Sequence, residues 1–179
     1  MLNRDEALVL IRKYIKDKEL IINSIAVEAI LREIARRIGK DEELWGLTGL
    51  LHNLDYDYTI ENPEKRGMLS AQLLEDLIPE DCINAIKANN YAHTDYLPTT
   101  SLDKSLISAA AITEFIKRVV KTIPSKQLSE VDLNMLLSKF KDPTFTIGEN
   151  RNKINLCLDV GLDLEAFFNI ALIKLRQIF

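Results

Sequence analysis

Cysteine is scarce in this chain. Cys82 and Cys157 are the only two in 179 residues, without C-x-x-C spacing, which excludes a disulfide framework and predicts two buried free thiols. No apolar run reaches the roughly 18 residues of a membrane span. The acidic Asp5 and Glu6 stand where a secretory signal needs an unbroken apolar core, so a cytoplasmic protein with no membrane partner is expected. Glycine-rich phosphate loops, zinc-spaced cysteine sets and a Gly-x-Ser-x-Gly elbow are all missing. Nothing alternates at period two for long enough to make a strand. The net charge of −4 argues against a nucleic-acid polymer as partner.

What is there is helical. With 47% hydrophobic and 28% charged residues the composition is that of a folded globular chain, and its length suits one domain with a substantial core. The expected fold class is all-α, a single-domain helical bundle over residues 1–179, with no internal repeat or linker. Asn3 with Glu6 three residues on starts a first helix, from Arg4 to Lys16. Ile22, Ile25, Ala26, Ala29, Ile30, Ile34 and Ile38 form a second stripe that stops at Gly39 and carries Asn23 on its edge. Asp41 caps a third helix. Leu69 to Leu77 reads as a fourth and Ile78-Pro79-Glu80 as the start of a fifth. After a loop at residues 91–100, Asp103 is the expected cap of a long apolar helix reaching about Val120. Ser129 to Asp132 resembles a capping box for a short helix through Phe140, and another helix is expected from Asn152 to Val160, ending at Gly161. Asp163 caps the last one, whose Leu164, Phe167, Phe168, Ala171, Leu172, Leu175 and Ile178 make a wide apolar face.

The third helix carries the strongest functional signal. It runs without a charge from Leu44 to Leu51 and then ends in His52, Asn53, Asp55 and Asp57. A histidine at the buried end of an apolar helix, followed by carboxamide and carboxylates, is a way to place metal-ligand chemistry in a helical core. The plainer alternative is a core histidine bonded to a neighbouring carbonyl, with Asp55 and Asp57 as solvated loop carboxylates. Two basic clusters, Arg32, Arg36, Arg37, Lys40 and Lys117, Arg118, Lys121, Lys126, read as solvated cations near helix C-termini.

The stretch LLHNLDYD resembles the histidine-aspartate motif of the HD-domain superfamily of metal-dependent phosphohydrolases, in the small-protein form that reads LLHDLDYD. The similarity covers nearly the whole chain and implies a helical bundle of the HD-domain type. In that family the metal is held by a histidine on an early helix, the adjacent His-Asp pair and an aspartate on a later helix. Those positions fall here on Asn23, on His52 and Asn53, and on Ala110. Two further family histidines correspond to Arg66 and Asn89, while His93 matches.

Three of the four implied metal positions therefore depart from the pattern, all toward neutral side chains. A carboxamide is a poor replacement for a carboxylate at a divalent cation, whereas a buried aspartate left without its metal would be costly. The first expectation is a protein whose metal site is largely eroded, with no cofactor. It would bind a small phosphate-containing ligand or a partner through Arg66, Asp55, Asp57, Asn89 and His93, with Arg66 pairing Asp55 or Asp57. The alternative is a phosphohydrolase acting on a phosphoester or nucleotide, with a metal site rebuilt from His52, Asp55 and His93 and holding Fe, Mn, Zn or Mg. A third reading is a homodimer formed through the apolar C-terminal helix.

Overall fold

Side-chain caps set most of the helix starts. The computed structural model describes every residue except Met1 and Ile147, and Glu149 by its backbone alone. Helix α1 (Arg4–Tyr14) opens on the Asn3–Glu6 capping box and ends where Ile15 turns extended, short of the expected Lys16. Helix α2 (Lys18–Arg37) begins at an Asp17 cap, ahead of the apolar stripe. Gly39 follows it in the left-handed region, at φ 68°. Helix α3 (Glu42–Leu51) starts where Asp41 accepts from the Leu44 amide at 2.9 Å. Six more follow: α4 (Met68–Leu74), α5 (Glu80–Ala88), α6 (Ser101–Thr122), α7 (Leu133–Lys141), α8 (Gly148–Asn155) and α9 (Leu164–Arg176). The fold is all-α, with no strand among the described residues.

Four further boundaries differ from the sequence expectation. The cap of α6 is Thr100, and Asp103 is the third helical residue that reaches back to it. The cap of α7 is Asp132, because residues 128–130 form a separate short turn. Helix α4 stops at Leu74, since Asp76 lies at φ 63°. Helix α8 spans Gly148–Asn155, and the segment expected to finish it is the short turn Leu158–Val160, closed by Gly161 at φ 85°.

Helices α2 and α3 lie close together because α3 presents glycine to its neighbour. A Cβ on Gly49 would sit 3.0 Å from the Glu28 backbone, which side chains do not tolerate without movement. Leu50, Leu51, Leu54, Ile30, Leu31 and Ile34 fill the seam and are buried. Helix α6 runs through the middle and meets α2, α5, α8 and α9. Its Phe115 packs edge-to-face on Phe140, Phe145 and Phe168, at centroid distances of 6.1, 5.8 and 5.7 Å, a geometry that aromatic quadrupoles favour. Cys82 and Cys157 are buried free thiols.

Buried Glu28 is bracketed by Arg4 and Arg32. The first basic cluster is thus paired rather than merely solvated: Arg32 also holds Glu43, and Arg36 holds Glu33 and Glu42. Among the described residues no helix is long and apolar enough to cross a membrane.

Candidate functional site

Helix α3 delivers His52 into the interior as its last turn opens. The imidazole is 3% exposed, and its Nδ1 lies 2.7 Å from the Gly49 carbonyl. A carbonyl only accepts, so the proton sits on Nδ1 and Nε2 keeps its lone pair. Burial lowers the pKa from 6.5 to about 4, opposed by the Gly49 bond and the charges of Asp55 and Glu114. His52 is therefore neutral at pH 7.

Beside it lies a cavity of about 490 Å³. Asn23 from α2, His52 and Asn53 beyond α3, Asn89 at the end of α5, and Ala110 from α6 all line it. So does Arg66, in the loop before α4. Five residues singled out on four separate helices and their ends thus converge with Arg66 on one space. The geometry follows from the packing: α6 crosses both α2 and α5, and the end of α3 enters between them.

Asn23 is buried and its amide donates to Glu114, whose Oε1 also accepts from Lys117 at 3.2 Å. Asn90 donates to the Pro63 and Arg66 carbonyls, each at 3.1 Å, and so ties the Arg66 loop to the end of α5. Asn53, Asn89 and Asn150 are half-buried on the wall, and their side chains have no hydrogen-bond partner among the described residues.

Arg66 does not pair with Asp55 or Asp57, contrary to expectation. Its guanidinium carbon lies over the Tyr56 ring, 4.3 Å from the centroid, and its Nε reaches Thr59 Oγ1 only at 3.5 Å. Both carboxylates are engaged elsewhere. Asp55 is fully buried behind the cavity wall, and its Oδ2 accepts from the backbone amides of Gly67 at 2.8 Å and Ser70 at 3.0 Å. It ties the loop to the start of α4. Gly67 is required there, at φ 88°, since a Cβ would meet the Ile86 carbonyl at 2.8 Å. Asp57 accepts from the Lys16 amide at 2.9 Å and fixes the turn after α1.

His93 sits exposed in the loop after α5 and is not part of the cavity wall. The structure therefore brings together Asn23, His52, Asn53, Arg66, Asn89 and Ala110, and leaves out Asp55, Asp57 and His93. The trio His52, Asp55 and His93 is not assembled. Among the described residues no three His, Cys, Asp or Glu side chains are grouped to hold a metal ion.

Several wall residues went unread in the sequence. Glu114 and Lys117 lie four and seven positions after Ala110 on one face of α6, so helical spacing alone points to them. Asn150 and Lys153 come from α8, whose polar residues GENRNKIN carry no apolar stripe and hence no periodic signal.

The family model of the HD domain matches residues 20–117, more than half of the chain. No curated protein and no solved structure matches it.

Proposed function

The chain belongs to the HD-domain family, a family of metal-dependent phosphohydrolase type, and we propose that its cavity binds a small phosphate-containing ligand without hydrolysing it. One observation carries this reading. Among the described residues, Asn53, Asn89 and Asn150 present carboxamides with no hydrogen-bond partner to the same space as the neutral His52 and the Arg66 guanidinium, for which no carboxylate partner is described. Half-buried carboxamides without a protein partner line an open cavity, where the polar groups of a ligand can take the place of water.

The donor set does not fit a divalent cation. The positions that the family resemblance assigns to the metal offer one imidazole, two neutral amides and the methyl group of Ala110, and the nearby Glu114 carboxylate is held by Asn23 and Lys117. Divalent ions depend on charged oxygen or several imidazole donors. No hydrolytic step is therefore derived through a metal.

The same residues suit an anion. Arg66 lies over the Tyr56 ring and offers a fork of N–H donors. Lys117 and Lys153 line the same cavity together with Asp17, Glu19 and Glu114, so Arg66 is the cation on which an anion site there depends. His52 accepts a hydrogen bond through Nε2, and the carboxamides both donate and accept, which suits the hydroxyls and ring nitrogens beside a phosphate. Calorimetry with nucleoside monophosphates and sugar phosphates tests this. The parent should bind at least one of them, and protein purified without chelator should carry far less than one equivalent of iron, manganese or zinc. One equivalent of metal retained through dialysis would overturn the reading.

A further inference from the structure

A cavity larger than the carboxamide one lies elsewhere. It is a groove of about 840 Å³ between the end of α6, the following turn and α9. Ile116 and Leu175 form its floor, with half-buried Val120 and Leu128 on its sides and the Phe179 ring, 56% exposed, at one end. Four cations stand around it, Lys117, Lys121, Lys126 and Arg176, and among the described residues its lining includes no Asp or Glu side chain.

That one-sided charge is set against a chain whose net charge is −4. Arg176 is committed to the Val131 carbonyl at 2.7 Å, and Lys117 to Glu114 at 3.2 Å. Lys121 and Lys126 have no ion-pair partner among the described residues. Lys126 also adopts φ 52°, a left-handed backbone conformation uncommon in a residue with a side chain. A concave apolar floor with a few convergent charges of one sign is the arrangement of a small-molecule site. The volume is in the range of such sites. A helix of a partner protein would instead want a longer apolar strip with anchors at helical spacing.

We propose that this groove binds a free long-chain carboxylate, its hydrocarbon chain along Ile116, Val120, Leu128 and Leu175 and its head group between Lys121 and Lys126. The site is separate from the carboxamide cavity, although Lys117 lies on the wall of both.

The test uses dodecanoate below its micelle concentration, followed by calorimetry and by displacement of anilinonaphthalene sulfonate fluorescence. Dodecanoate should bind one to one, and shortening the chain by two methylenes should weaken it up to about tenfold. Dodecyltrimethylammonium, with the same chain and the opposite charge, should bind at least about tenfold more weakly. The exposed double change Lys121→Glu with Lys126→Glu should cost about tenfold or more in dodecanoate affinity at unchanged melting temperature, while Arg66→Ala should leave it intact. No binding, equal binding of the two surfactants, or indifference to the lysine changes would overturn the proposal. So would displacement of the dye by an acidic amphipathic peptide but not by dodecanoate, which would assign the groove to a protein partner.

Discussion

The wall of the carboxamide cavity and the tie just behind it come from the same few residues, and they solve opposite problems. Asp55 is a buried carboxylate, and two backbone amides meet its Oδ2. Asn53, two positions earlier, is a neutral side chain that faces the cavity with no partner among the described residues. The buried charge thus serves the scaffold, whereas the wall combines idle carboxamides with the charged side chains of Asp17, Glu19, Glu114, Arg66, Lys117 and Lys153.

That contrast is easiest to break at the tie. Asp55→Ala leaves the buried Gly67 and Ser70 amides without an acceptor, and losing two hydrogen bonds to a charged group should cost about 4 kcal/mol of stability. Asp55→Asn keeps one oxygen for both amides and should lose less than half as much. Urea unfolding of the three proteins measures this, and a neutral Asp55→Ala variant would show that the carboxylate is not the tie described.

His52 gives the next effect. Its folded pKa of about 4 lies below the ordinary histidine value of 6.5, so below pH 6.5 the unfolded chain takes up a proton that the native state refuses. The stabilisation is complete above about pH 6.5 and is lost as pH falls toward 4, to the extent of about 3 kcal/mol. Stability measured across that window should show this slope, and His52→Gln should remove it.

Placing metal-donor side chains at the three family positions tests the wall itself. Asn23→His, Asn53→Asp and Ala110→Asp together should raise affinity for a divalent metal at least about a hundredfold over Asn53→Asp alone, because coordination needs several donors at once and a lone buried carboxylate lacks them. Equal metal affinity in the single and triple variants would contradict this. The smallest expected effect belongs to Arg66→Ala, a tenfold or so weakening of phosphate-ligand binding, or about 1.4 kcal/mol for one charge-assisted contact. Titration of parent and variant with the same ligand reads it directly.

Much of the scaffold was legible because its determinants are local. The Asn3–Glu6 box, Asp41 and Asp163 each cap the helix expected of them. Where two residues three apart could both serve as caps, as with Thr100 and Asp103, spacing alone could not choose. The residues facing the cavity from α2, α3, α5 and α6 lie where helical register puts them. The roles of Asp55, Asp57 and His93 were not legible, because which backbone amide a loop carboxylate meets depends on how the loop folds back. Nor was Arg66 stacked on Tyr56, a contact between two irregular segments.

The central claim is that the cavity binds a phosphate-containing ligand without a metal. Its most direct test is calorimetric titration of the nucleoside monophosphates and sugar phosphates in excess EDTA, with the ligand recovered afterwards. The account predicts binding that EDTA does not weaken and a ligand recovered intact; binding or phosphate release that appears only when a divalent cation is added would contradict it.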